Sequence, residues 1–172
     1  GSLERGPIRS LAAQPQLDES AWQQLLAQWQ QARRKLIVAG MHCADPCLQT
    51  ALAELTRDPS VALFADVTAN LHGLASAPAH ADAALNTTDA ATLARLRPDL
   101  VIHFGGQVTS KNIKNLLRRH MPQALWHVRP SLVVPDTYQA LTAAVPMQPA
   151  AFLQQLAARL ATAPPPSGTP PA

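Results

Sequence analysis

Short apolar runs recur along the chain and indicate strands that are buried on both faces of a sheet. Each run is four or five residues long, and the first ends at a glycine, Gly40. Continuous apolar runs of this length are typical of parallel strands, because helices cover both faces of a parallel sheet. The pattern predicts strands at residues 36–39, 61–64, 100–104 and 124–128, and a weaker one at residues 141–145.

Segments with helical spacing of apolar residues separate these runs. Ser20, followed by Gln23, resembles a capping box and predicts the start of a first helix. Its apolar stripe follows the i, i+3, i+4, i+7 pattern at Trp22, Leu25, Leu26 and Trp29. Further helices are predicted at residues 46–57, 88–96, 110–120 and 149–160. Strands alternating with helices predict a three-layer α/β/α, Rossmann-like domain with a doubly wound, mostly parallel sheet of about five or six strands.

The chain divides into one domain and two irregular ends. Its 172 residues fit a single domain with a sizeable core. Residues 1–16 read as a lead-in linker, residues 17–162 as a single α/β domain, and residues 163–172 as a proline-rich tail that is expected to be disordered. Within the domain, residues 66–79 form the longest irregular piece, and either a functional loop or a plain surface excursion fits that length.

Charge and hydropathy narrow the class of protein. No apolar run approaches the roughly 18 residues of a membrane span, and no signal segment is recognisable, so a cytoplasmic protein is expected. The net charge of +3 arises mainly between Asp99 and Asp136, where no acidic residue occurs. Aromatic side chains that could stack on bases are not interleaved with these basic residues, and so nucleic acid is not an expected partner.

The loop after the third apolar run is the sharpest candidate site. Gly105 and Gly106 permit a tight turn and the close approach of a ligand. Ser110 can cap a helix whose free N–H groups favour an anion, and Lys111 adds a positive charge at the same place. The glycine spacing matches neither a dinucleotide fingerprint nor a phosphate-binding P-loop, so a purely structural turn is the alternative.

The loop after the first run contains potential metal ligands. His42, Cys43 and Cys47 could supply three ligands to a soft metal. No second ligand pair with zinc spacing follows, and no metal site is predicted. Asp45, as the cap of a helix that begins with Pro46, explains most of this segment, and any role of the other three residues stays open.

Three further polar residues lie in or at the ends of apolar runs. His103 and His127 fall inside predicted strands and are expected to be core or sheet-end histidines. Asp66 stands where a dinucleotide-binding domain holds a ribose, but the glycine fingerprint after the first strand is missing. No nucleophile elbow occurs, so no catalytic triad is predicted.

The chain resembles, over residues 17–160, the central domain of a known enzyme family. These are the 2-succinyl-5-enolpyruvyl-6-hydroxy-3-cyclohexene-1-carboxylate synthases of menaquinone biosynthesis, the MenD family. The resemblance rests on the segments RPDLVIHFGG and VTSK, the basic helix that follows them, and the strand ALWHV. RKLIVAGMH before these segments and PAAFL after them match as well.

The resemblance implies a role within a larger enzyme. Members of this family have three domains and depend on thiamine diphosphate and a divalent ion, magnesium or manganese, held between the first and third domains. They are transferases that decarboxylate 2-oxoglutarate and add the succinyl semialdehyde unit to isochorismate. The chain lacks the cofactor-binding motifs, so it is expected to bind no cofactor itself and to be inactive alone. Its expected partners are the flanking N- and C-terminal thiamine-binding domains of a parent that forms a homo-oligomer.

The resemblance also implies which residues contact substrate. In this family, the lysine of a Gly/Ser-Lys-Arg motif reaches the substrate pocket, where a cation suits carboxylates. That lysine matches Lys111, with Ser110 before it and Asn112 in place of the arginine. Gly105 and Gly106 match the supporting turn. The expected role is structural and substrate-contacting, with regulation as a further option. The alternative is a stand-alone Rossmann-like module that binds a nucleotide or an acidic ligand.

Overall fold

A computed structural model describes residues 16–71, 74, 85, 88–131 and 141–163 of the protein. Its helices are α1 (Glu19–Gln31), α2 (Pro46–Leu55), α3 (Ala90–Arg95), α4 (Lys111–Arg119) and α5 (Pro149–Thr162). Its strands are β1 (Lys35–Ala39), β2 (Val61–Ala65), β3 (Leu100–Phe104), β4 (Ala124–Val128) and β5 (Ala143–Val145). A short 3-10 turn, Val67–Ala69, follows β2.

The described strands form one sheet of five strands in the order β2-β1-β3-β4-β5. Every pairing is parallel, and Ile37 at the centre of β1 lies between Leu63 of β2 and Ile102 of β3. The predicted parallel, Rossmann-like sheet is therefore confirmed. The strand order reverses between β1 and β3, and at such a switch point an open α/β sheet forms a crevice outside the carboxyl ends of its strands.

Apolar residues fill both faces of the sheet. On the face covered by α1, α2 and α5, the rings of Trp22 and Phe152 stack 5.3 Å apart, and Trp126 meets Phe152 edge-on at 6.3 Å. On the other face, α4 packs against the sheet through Ile113 and Leu117, which are fully buried. Helices on both faces of the sheet give the predicted three layers.

Aspartates set the starts of two helices and correct the predicted boundaries. Asp18 caps α1, because its Oδ1 accepts the N–H of Ala21 at 2.7 Å. Ser20 lies inside the helix, so the predicted capping box is wrong. Asp89 caps α3 through the N–H of Thr92, and this helix therefore begins at residue 90 rather than 88.

The last strand is shorter than the weak run that predicted it. The hydroxyl of Thr142 accepts the N–H of Leu125 at 2.9 Å and donates to its carbonyl at 3.0 Å. The backbone N–H of Thr142 donates to the same carbonyl at 2.9 Å, and regular strand pairing with β4 begins at Ala143. The predicted strand at residues 141–145 is confirmed over its last three positions.

Several expectations concern residues outside the described ranges. They are residues 1–15 of the lead-in, residues 164–172 of the tail, and residues 72–73 and 75–79 of the long loop. Within the described ranges, no helix has the length and apolar character needed to cross a membrane.

Candidate functional site

The carboxyl edge of the sheet brings together the loops that follow β1, β2 and β3. Asp66 directly follows β2, and its N–H donates to the carbonyl of Ala39 at the end of β1, at 2.9 Å. Gly40 follows β1 and donates to the carbonyl of Phe104 at the end of β3, also at 2.9 Å. The third loop runs from Gly105 to the start of α4. All the residues singled out in the predicted site lie in or next to this third loop.

Backbone atoms fill the crevice between β1 and β3. The N–H of Gly106 donates to the carbonyl of Met41 at 2.7 Å. A Cβ added at Gly40 would lie 2.3 Å from the carbonyl oxygen of Gly106. Gly105 has a φ of 82°, and a Cβ there would lie 2.8 Å from the oxygen of Met41. These glycines allow the loops after β1 and β3 to contact each other at the switch point.

The carboxylate of Asp66 ties the loop after β3 to the end of β2. Its Oδ1 accepts the N–H of Thr68 at 3.2 Å and the Thr68 hydroxyl at 2.9 Å. Its Oδ2 accepts the N–H of Thr109 at 2.7 Å, the Thr109 hydroxyl at 2.8 Å and the N–H of Ser110 at 3.3 Å. We call these bonds the Asp66 clamp. They give the carboxylate a role between the protein's own loops instead of the ribose contact considered from the sequence.

The Asp66 carboxylate is buried and remains charged. Only 5% of the residue is exposed. Burial raises its pKa, but the hydrogen bonds from Thr109 and Thr68 together lower it more, so the pKa of Asp66 lies below its usual range. At neutral pH the clamp therefore consists of charge-assisted hydrogen bonds, which are shorter and stronger than neutral ones.

The clamp leads directly into α4. Ser110 caps this helix, because its Oγ accepts the N–H of Ile113 at 3.2 Å. Lys111 is the first helical residue and is exposed, whereas Asn112 is half-buried. The ammonium of Lys111 and the positive end of the helix dipole thus act at one place, which favours an anion. Arg118 lies in the last turn, at the opposite end of the helix from Lys111.

The loop after β1 is organised by a helix cap. Oδ1 of Asp45 accepts the N–H groups of Cys47 and Leu48 at 2.9 and 3.3 Å, which confirms the predicted cap before Pro46. Cys43 and Cys47 are exposed free thiols. No three His, Cys, Asp or Glu side chains in the described part of the chain are arranged to hold a metal ion.

His103 and His127 form a buried pair on β3 and β4, as expected of core histidines. They are partners in the strand register, their ring centroids are 4.5 Å apart, and each is 3% exposed. Burial, together with the charges of His127 and Arg129, lowers the pKa of His103 to about 3. A ring held neutral in this way is a weak base, which argues against acid–base chemistry at His103.

The Asp66 clamp is the main feature that the sequence analysis missed. Asp66 and Thr109 are 43 positions apart and follow strands that are not adjacent in the sheet. The contact of Gly40 with Gly106 is likewise absent from the sequence-based expectations, in which Gly40 ends the first strand. The sequence does show an aspartate directly after one apolar run, Asp66, and a Thr-Ser pair shortly after another, Thr109 and Ser110. Only the strand order reveals that these residues are in contact.

Comparisons with known proteins point to one family. A family model described as "Middle domain of thiamine pyrophosphate" matches residues 8–164. A protein of Desulfotalea psychrophila is 37% identical over 149 residues, and one of Porphyromonas gingivalis is 31% identical over 150. Both are named 2-succinyl-5-enolpyruvyl-6-hydroxy-3-cyclohexene-1-carboxylate synthase. The alignments cover 86% and 84% of this chain but only 27% and 25% of the relatives, so the chain spans about a quarter of their length.

A comparison of folds gives the same architecture. A solved structure described as "The Structural basis for Sirtuin Substrate affinity" superposes with a TM-score of 0.55. The match covers 82% of this chain and 99% of the other at 10% sequence identity. At this identity the likeness concerns the Rossmann-like fold alone.

Proposed function

The chain belongs to the family of middle domains of thiamine pyrophosphate (thiamine diphosphate) enzymes, and from this membership we propose that it is the middle domain of a 2-succinyl-5-enolpyruvyl-6-hydroxy-3-cyclohexene-1-carboxylate synthase. The parent would be a cytoplasmic, homo-oligomeric transferase of menaquinone biosynthesis. It would decarboxylate 2-oxoglutarate and add the succinyl semialdehyde unit to isochorismate. The names of the matched relatives and the segments RPDLVIHFGG and VTSK support this proposal.

The motifs that bind thiamine diphosphate and its metal ion in this family were not recognised in the sequence of this chain. No cluster of metal-ligating side chains occurs among the described residues. The crevice at the switch point is filled by the contact between Gly40 and Gly106. We therefore assign the cofactor and its magnesium or manganese ion to the flanking N- and C-terminal domains of the parent, and derive no catalytic step from this chain.

The contribution of this chain to the reaction would be a cation for substrate. Lys111 carries the proposal, because it is exposed at the start of α4, where the helix dipole reinforces its charge. Both proposed substrates carry carboxylates. Asn112 and Ser110 would assist as neutral hydrogen-bonding groups beside the lysine. Gly105 and Gly106 would support the turn that leads to it.

Substitution of Lys111 in the full-length parent tests this role. A hydrogen bond to a charged group contributes about 1.5–3 kcal/mol, so Lys111→Ala should raise KM for one of the two substrates roughly ten- to hundredfold. Lys114→Ala removes the same charge one turn further along α4 and serves as the matched control. Unchanged KM and kcat for both substrates in Lys111→Ala would refute the role of this residue.

The filled crevice weighs against the alternative of a stand-alone nucleotide-binding module. In such a module, glycines after β1 and β3 would leave room for a phosphate. Here a hydrogen bond of 2.7 Å from Gly106 to Met41 occupies that room. An acidic ligand at Lys111 is compatible with both proposals, so nucleotide binding is the property that distinguishes them.

A further inference from the structure

Asp66 connects two strands that are not neighbours in the sheet. It follows β2, whereas its partners Thr109 and Ser110 follow β3, and β1 lies between these strands. The carboxylate therefore reaches across the end of β1. Its own N–H is bonded to Ala39, the last residue of β1, at 2.9 Å, so all three strand ends are joined at this residue.

We propose that Asp66 is the positioning residue for Lys111. The inference rests on the substrate-binding role proposed for that lysine. The carboxylate holds the N–H groups of Thr109 and Ser110 at 2.7 and 3.3 Å, and Lys111 is the next residue along the chain. The clamp thus sets where α4 begins and where the ammonium of Lys111 stands. Because Asp66 is only 5% exposed, it acts through the loop and not on substrate.

The geometry requires a carboxylate at this position. Both of its oxygens accept backbone N–H groups, Oδ1 that of Thr68 and Oδ2 those of Thr109 and Ser110. In Asp66→Asn the amide nitrogen must face one of these N–H donors in either orientation, so the clamp is broken on one side. The side chain keeps its size, and no cavity is created. The variant therefore releases the loop with little other change.

A double-mutant cycle in the full-length parent tests the proposal. Asp66→Asn should raise KM about tenfold for the same substrate as Lys111→Ala, with kcat within about twofold, because uniform binding is lost. In the Lys111→Ala background the same change should alter KM by less than about twofold, since no ammonium remains to be misplaced. Asp45→Asn removes a comparable carboxylate that caps α2 at the same edge, and should leave both constants unchanged.

The outcomes of this cycle are distinguishable. Independent effects of the two substitutions would overturn the positioning role, as would an equal rise in KM in Asp45→Asn. An effect of Lys111→Ala with none of Asp66→Asn would overturn the positioning role and leave the proposed function intact. No effect of Lys111→Ala would overturn both. If Asp66→Asn does not fold, Thr109→Val replaces it in the cycle, because it removes only the hydroxyl that donates to Asp66. Thr109→Val should then raise KM in the wild-type background and not in the Lys111→Ala background, and equal effects in both backgrounds would overturn the positioning role.

Discussion

Acidification should destabilise the domain through the His103–His127 pair. In the folded chain, burial and the neighbouring charges hold the pKa of His103 at about 3, against an ordinary value of 6.5. Between these two values the unfolded chain binds a proton that the folded chain does not. The stability that depends on a neutral His103 is therefore complete above pH 6.5 and is lost progressively as the pH falls towards 3.

The size of the effect follows from the two pKa values. Each pH unit within this window changes the free energy of unfolding by about 1.4 kcal/mol, so the loss between pH 7 and pH 5 is about 2 kcal/mol. Urea denaturation of the chain at half-unit steps of pH measures this slope. His103→Gln cannot titrate and should lose most of the slope, whatever its stability at pH 7.

A second variant separates titration from general weakening of the core. Val101 lies two residues before His103 on the same strand and is fully buried. Val101→Ala should lower stability by a similar amount at every pH and keep the slope of the wild-type chain. If His103→Gln retained the full slope, or if the wild-type chain were equally stable at pH 7 and pH 5, the reasoning on the buried pair would be refuted.

Two further predictions concern the filled crevice. Gly40→Ala places a Cβ 2.3 Å from the oxygen of Gly106 and should lower the free energy of unfolding, measured by urea denaturation, by about 1–3 kcal/mol. In Gly106→Ala the nearest atom, of Met41, is 3.4 Å from the new Cβ, so the free energy of unfolding should change by no more than about 0.5 kcal/mol. Equal effects of the two substitutions would contradict the tight contact between Gly40 and Gly106. Calorimetric titration of the chain with FAD, ADP and NAD should show no binding, and tight binding of FAD or NAD would instead favour the nucleotide-binding module.

The strands were predictable because their signal is local. The bounds of β3 and β4 agree with the apolar runs at both ends, since each run is uninterrupted and flanked by polar or turn-forming residues. Helix starts were less predictable. Asp18 and Ser20 are both good caps, and the sequence pattern does not reveal which of them adopts the extended backbone.

The site was predictable only as a turn and a helix start. Gly105, Gly106, Ser110 and Lys111 are contiguous, so their spacing alone indicated a tight turn before a capped helix. The Asp66 clamp was not predictable, because it depends on a strand order that places residues 43 positions apart in contact. Long-range contacts of this kind are set by the packing of the sheet and leave no periodic pattern in the sequence.

The most direct test of the central claim compares the isolated chain with the full-length parent. Both are supplied with thiamine diphosphate, magnesium, 2-oxoglutarate and isochorismate, and the decarboxylation of 2-oxoglutarate is followed. If the chain is one domain of a larger synthase, the parent should turn over and the isolated chain should not. Turnover by the isolated chain, or none by the parent, would contradict the claim.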